Sequence, residues 1–458
     1  YLVVQNEDDV KLVILYIVIG SLILGVIGLT QYFGHDFFGT SLGLKLITPR
    51  IYWNDLDQIT STVEKSRVYG TLYNPNYMGV YTALILPILI LLTFFSRKIW
   101  QIILFISTII ILLICLIGSK STAGLISIAI AMFLALILSW RYLVKYFYLA
   151  VPILLFIVLS LVLFNKKSDN YLVNQFKEST NFTKTEATLT DIQTNVEEVL
   201  IEYRGKTIKA KLFFDSSGAL TIDIRDDNGG MIPLLTDQAT GKLRLQDEHY
   251  DGFLFNPVMF ENKIALSVTI DGHDWIFTNQ TEDGTYYFIN QYGKLDKIVE
   301  APSSLFTGYE SYASGRGYIW SRSIPLLKDN FILGSGADTF PIEFPQQDYV
   351  NLYNNGYGNQ ILTKPHNLYL QIGVQTGALS LLAFIIFYGI YFISSFTLYI
   401  NNKFDSFYSK IGVSILVGTF AYMIAGIAND SSITVAPMYW VLMGLGISVN
   451  SKVKSLSH

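Results

Sequence analysis

The chain has 458 residues, 51% of them hydrophobic and 15% charged, with a mean hydropathy of +0.39. Ordinary soluble domains run at about 25% charged, so this composition excludes one. A net charge of −4 argues against a nucleic-acid partner, and the single cysteine, Cys115, excludes an intramolecular disulfide and a paired-cysteine metal site.

The sequence starts at Tyr1, and no small-residue cleavage site follows the first apolar run. It therefore reads as a piece of a longer chain with N-terminal spans missing, rather than as a secreted precursor. Spanning a bilayer takes about 20 mostly apolar residues. Eight runs meet or approach that length: 11–31, 77–95, 99–117, 122–139, 146–164, 378–399, 411–428 and 433–449, the last being the shortest and most polar. Lys11, Arg97, Lys98, Arg141, Lys145, Lys403, Lys410, Lys452 and Lys454 fall in one set of short loops, whereas the opposite turns 118–121 and 429–432 hold only Lys120. The cation-rich set marks the cytoplasmic side. Loop 32–76 and segment 165–377 then face outward, and 14% aromatic content suits belts at both membrane edges.

Segment 165–377 is too long for a plain loop. Residues 166–193 read as a linker. From 194 to 300 apolar residues alternate, as in Val199, Ile201 and Tyr203, and turn signals such as Asp215–Gly218, Asp226–Gly229 and Asp283–Gly284 recur. This pattern predicts an all-β sandwich or barrel. Residues 186–300 hold 20 Asp and Glu against 10 Lys and Arg, so the module is acidic. Residues 301–377 read as an outer catalytic loop in which amphipathic helices lie at the membrane surface. The expected organisation is thus 1–165 with five transmembrane helices, the 166–193 linker, the 194–300 insert, the 301–377 loop, and 378–458 with three more helices. The fold class is an α-helical polytopic membrane protein with an inserted extracytoplasmic all-β domain.

Near the membrane the outer face offers few cations: Arg67, Lys120, Arg316, Arg322, Lys328 and Lys364. His366 is the histidine that adjoins an outer span start. Guanidinium groups bind phosphate oxyanions through paired hydrogen bonds and stay charged at any relevant pH. A neutral imidazole within reach of a sugar hydroxyl can take its proton during attack. These residues fit a lipid-linked phosphate or diphosphate substrate, and the chemistry needs neither metal nor cofactor if arginine supplies the countercharge. Plainer roles exist for each. His366 fits a cap before the span at 378, Arg316 a pair with Glu310, and Arg67 the anchor of a loop. Lys120 fits a snorkelling interfacial lysine. Asp223, Asp226 and Asp227 suit a hairpin turn better than calcium, and His249 and His273 read as surface residues.

Three stretches carry a family likeness. They are Arg67 with Gly70 and Asn74-Pro75-Asn76; Gly315-Arg316 to Trp320 with Gly334-Ser335-Gly336; and Pro365-His366-Asn367 with ten residues between His366 and Gly377. In this order the chain resembles the O-antigen ligase and O-antigen polymerase superfamily of bacterial envelope glycosyltransferases, over about 67–165 and 301–449. The resemblance implies a glycosyltransferase C-like helical fold. It also implies metal-free transfer or polymerisation of a glycan from an undecaprenyl diphosphate carrier to a glycan, wall polymer or protein acceptor, in the lipid bilayer. It makes His366 the base and Arg67 and Arg316 the diphosphate binders, with Arg322, Lys364, Lys120, Asn367 and Trp320 as further substrate-binding candidates. Arg322, three residues before Leu326, competes with Arg316 for the loop arginine. The alternative is a non-catalytic transporter or flippase of lipid-linked oligosaccharide. A third reading, an envelope sensor, leaves the histidine and arginines unexplained. Transporters usually carry ionisable residues inside their spans, and these spans lack them.

Overall fold

A computed structural model describes residues 4, 6–56, 67–145, 165–166, 170, 173–174, 177, 182–184, 186–217 and 219–456. The expected span 146–164 and part of the expected linker lie outside them. The chain divides into two compact units. One holds Tyr1–Asn181, Asn330–Gly334 and Pro365–His458; the other holds Phe182–Asp329 and Ser335–Lys364.

The first unit is helical. It begins with α1 (Glu7–Tyr32), opened by a capping box in which the Asn6 side chain accepts from Asp8 N and Asp9 N while Asp9 accepts from Asn6 N. Then come the short α2 (Ser41–Ile47), α3 (Pro75–Phe95), α4 (Ile99–Ser119) and α5 (Thr122–Lys145). Helix α3 starts where the sequence signals it, with Asn74 capping Asn76 N and Pro75 in the first turn. Among the described residues six helices are long and apolar enough to cross a membrane: Glu7–Tyr32, Pro75–Phe95, Ile99–Ser119, Thr122–Tyr142, Ala378–Tyr399 and Phe407–Ala425. The run at 433–449 forms a helix, Ala436–Leu456, that is not among the six. Its Asn450 accepts from Tyr399 Oη at 2.6 Å and donates to Ser395 Oγ at 2.7 Å, so this polar helix is held from inside the protein.

Helix α3 and Phe407–Ala425 form the middle of the bundle. Of their most apolar windows 83% and 72% are buried, against 11% for Ala378–Tyr399. A helix so apolar and so exposed has lipid as its natural solvent. Glycine sets the closest approaches. A Cβ on Gly124 would sit 2.8 Å from Gly79 O, and one on Gly418 would sit 2.4 Å from Leu84 O.

These contacts also sort the ends of the bundle. Gly28 meets Cys115 and Val68, which places the C-termini of α1 and α4 and residues 67–70 together. At the opposite end Lys11, Leu92, Arg97, Lys98, Phe407 and Lys410 line one cleft. The rings of Phe95 and Tyr142 meet there at 5.0 Å, and those of Phe95 and Phe404 at 5.6 Å. Helix Phe407–Ala425 therefore runs antiparallel to α3. The cations read as one set collect at one end, and Arg67, Lys120 and the turn before residue 368 collect at the other.

The second unit carries the strands. A four-stranded antiparallel sheet joins β1 (Leu189–Thr194), β2 (Val199–Tyr203), β3 (Lys206–Phe214) and β4 (Leu220–Arg225) in chain order. A seven-stranded antiparallel meander joins β5 (Leu234–Thr236), β6 (Leu243–Leu245), β7 (Leu254–Phe260), β8 (Lys263–Ile270), β9 (His273–Thr278), β10 (Tyr287–Ile289) and β11 (Leu295–Asp296). Both sheets share one core. Val199, Ile201 and Tyr203 are buried as their alternation requires, together with Phe255, Val268 and Trp275. Each such side chain contributes roughly 1.5–3 kcal/mol on burial. Tyr286 Oη accepts from Leu212 N at 2.8 Å, which ties one sheet to the loop before the other's β10. Asp226 accepts from Asn228 N and Gly230 N, so the acidic hairpin is a turn. His249 and His273 are half-buried rather than on the surface. His249 Nε2 lies 3.1 Å from Tyr203 O, and His273 packs on Tyr353 and Trp275.

Three helices belong to the same unit: α6 (Arg316–Asp329), α7 (Phe340–Glu343) and α8 (Tyr349–Asn354). Helix α6 falls where an amphipathic helix was expected, and its first half packs inside this unit. Residues 317–323 are all buried, with Tyr318 against Phe344 and Tyr357 and Trp320 against Phe306 and Tyr312. The helical unit is completed by α9 (Leu368–Thr376), α10 (Ala378–Tyr399), α11 (Phe407–Ala425) and α12 (Ala436–Leu456).

Candidate active site

His366 stands in the left-handed region, φ +49°, at the turn before α9. Asn367 caps that helix by accepting from Tyr369 N and Leu370 N, and its amide donates to Ile427 O at 2.8 Å. Leu368 N donates to Gly426 O at 2.7 Å, and Gln371 accepts from Ser431 N at 2.7 Å. Three bonds thus clamp the histidine turn to the loop after α11. That clamp is what holds a non-glycine residue at positive φ.

The clamp brings in a residue the sequence reading passed over. His366 Nδ1 lies 2.9 Å from Asp430 Oδ2. The imidazole is 41% exposed and the carboxylate 1%. A carboxylate beside Nδ1 favours the tautomer with the proton there and leaves Nε2 as the nitrogen that can accept one, the arrangement of an oriented general base. Asp430 Oδ1 is buried and has no hydrogen-bond partner among the described residues. The signal was present, since Asp430 is the one carboxylate in the turn 429–432 assigned to the same face as His366. It was missed because 64 residues separate the two.

At the same end of the bundle Arg67 Nε donates to Ser119 O at 3.4 Å and Val68 N to Gly118 O at 3.0 Å. Gln31 holds the strip, accepting from Tyr69 N and Gly70 N and donating to Gly70 O and Asp36. Tyr69 Oη donates to Asp36 at 2.5 Å; burial first, then this bond, push the phenol far above its ordinary range. Lys120 is exposed and ends α4 in the left-handed region.

Glycines at 334 and 377 explain the spacing of the third stretch. A Cβ on Gly377 would sit 2.2 Å from Ile332 O, and one on Gly334 would sit 2.4 Å from Gln375 O. Ala378 N donates to Phe331 O at 2.8 Å. Helix α9 spans the gap between the histidine turn and this contact, and ten residues is the length it takes.

The remaining candidates lie in the strand-bearing unit. Arg316 starts α6 half-exposed, donating from Nη1 to Ala313 O at 3.0 Å. Glu310 does not pair with it. Glu310 accepts from Arg322 Nη1 at 3.1 Å, and Arg322 Nε donates to Asp348 at 3.1 Å. The Arg322 guanidinium is 4% exposed and stacks on Tyr318 at 4.8 Å, so its donors turn inward to two carboxylates. Burial pushes Asp348 above the usual carboxylate range, with Asn351 and Arg322 pulling it back. Trp320 is buried among aromatic rings, and Lys364 ends this unit half-buried.

Residues 283–385 match a family model described as O-antigen ligase. The expected likeness to the O-antigen ligase and polymerase superfamily is borne out over this segment, which contains Arg316, Arg322, His366 and Gly377. No curated protein matches the chain, and no solved structure does.

Proposed function

We propose, from the O-antigen ligase match and the His366–Asp430 pair, that this membrane protein moves a glycan from an undecaprenyl diphosphate carrier onto an acceptor hydroxyl at the outer membrane face. The acceptor oxygen attacks the anomeric carbon, and the sugar–diphosphate bond breaks with inversion. Nε2 of His366 takes the hydroxyl proton, and Asp430 stabilises the imidazolium that forms. Undecaprenyl diphosphate leaves with the bonding electron pair. Arg67 and Arg316 bind its oxyanions and offset the charge that develops on departure. Lys120, Lys364 and Asn367 serve as further substrate contacts. Arg322 and Trp320, both buried, fix the helix that Arg316 starts. A glycosyltransferase C-like helical frame is part of the same reading.

The observation that carries the proposal is an exposed imidazole, oriented by a buried carboxylate, at the bundle end that also carries Arg67 and Lys120. Purified protein in liposomes with an undecaprenyl diphosphate–linked glycan tests it. His366→Ala is expected to lower transfer by about 10²–10⁴-fold. Transfer at the wild-type rate would remove His366 from the mechanism.

A further inference from the structure

Helix α1 leaves the bundle at Tyr32, and within a few residues the chain enters a compact apolar segment. A 3-10 turn at Phe37–Gly39 is capped by Asp36, and α2 packs its Gly43 on that turn so closely that a Cβ would lie 2.1 Å from Phe37 O. The fold is local, and it points its large side chains away from itself. Leu42, Leu46, Ile47 and Ile51 are 60–79% exposed, and Tyr52 is 54% exposed. Lys45 and Arg50 flank the Trp53 ring at 5.7 and 5.5 Å.

We infer that residues 37–53 form an in-plane membrane anchor, with the bilayer leaflet at the end of α1 as occupant. Three observations favour lipid over a protein partner. The segment continues directly from a membrane-spanning helix, so its exposed face is already at bilayer height. Its composition, aliphatic residues with Phe37, Phe38, Tyr52 and Trp53, is that of an interfacial belt. The two cations lie beside the indole, the level at which a lipid phosphate meets them, while the aliphatic side chains reach into the acyl region. Such segments sink about 5–10 Å into the headgroup boundary. Asp36 ties the anchor to Gln31 and Tyr69, two residues from Arg67. The anchor thereby sets the depth of the Arg67 strip in the headgroup layer, whatever reaction that strip serves.

Spin labels decide the matter. In a Cys115→Ala background, nitroxides are placed at Leu46→Cys and, separately, at Ile51→Cys. Leu382→Cys on the exposed face of α10 is the lipid standard, and Thr240→Cys in a β turn is the water standard. The full chain is reconstituted in phosphatidylcholine–phosphatidylglycerol nanodiscs, and collision with oxygen and with a water-soluble nickel chelate is read by EPR. The expected result is oxygen access approaching that at 382 and nickel access several-fold below that at 240, at both positions. Nickel access equal to the water standard would overturn the anchor. So would protection from both reagents, the signature of a covering protein segment or a second copy. Elution of labelled protein at the unlabelled position checks that each variant is folded.

Discussion

His366 gains its chemical meaning from one neighbour. Asp430 lies in a turn with no motif of its own, yet its carboxylate reaches Nδ1 at 2.9 Å from a site almost sealed from water. Asp430→Asn keeps the shape and removes the charge that stabilises an imidazolium. The expected outcome is a fall in kcat with KM for the lipid-linked donor nearly unchanged, smaller than the loss in His366→Ala. A KM effect alone would make Asp430 a structural residue. Arg322 shows the opposite case, an arginine selected by its spacing to Leu326 and then found facing inward. Replacing it by Met leaves Glu310 and Asp348 buried without a countercharge, which costs about 3–5 kcal/mol. The check is thermal unfolding of the purified chain. Arg322→Met melting like wild type would show that its guanidinium is not the keystone of this loop.

Among the elements, β9 carries a pH dependence. Burial against Tyr353 and Trp275 lowers the His273 imidazole below its ordinary 6.5, with Asp274 pulling it back up. The unfolded chain then binds the proton more readily than the folded one. Stability from this residue is fully present above about 6.5 and is lost as pH falls through the depressed folded value. Hydrogen-exchange protection of peptides from β8 and β9 in the full chain, taken relative to the slower intrinsic exchange at lower pH, should fall on that descent, and His273→Phe should flatten the response. An unchanged response in the variant would assign it to another group. Helix α9 makes a different point at the same scale. It is short because it connects two fixed ends, the clamped His366 turn and the glycine contact at residue 377. A substitution at Gly377 meets both a positive φ of +98° and the Ile332 carbonyl.

For the whole molecule, the sorting of charge between the two ends of the bundle is the statement to test. Lys98→Cys at the cation-rich end and Thr240→Cys in the strand-bearing unit, each in the Cys115→Ala background, should react differently with a membrane-impermeant maleimide in intact cells. Residue 240 is expected to label at once, and residue 98 after permeabilisation. The reverse pattern would place the long segment inside the cell and end the proposed outer-face transfer.

Much of this architecture was legible from the chain. Long apolar stretches can satisfy their backbone only as helices in a bilayer, and among the described residues six of the eight expected runs are helices long and apolar enough to cross one. Period-two alternation at 199–203 can bury one face only as strand, and the burial of Val199, Ile201 and Tyr203 follows. His366 and its distance to Gly377 were legible too, because local geometry joins them through one short helix. Tertiary structure alone decided the contacts between distant segments: Asp430 on His366, Glu310 on Arg322 rather than on Arg316, Asp348 on the same guanidinium, and the burial of the first half of α6. Periodicity reports which face of an element is apolar, whereas a polar partnership across 64 residues leaves no periodic trace and exists only once the helices have packed.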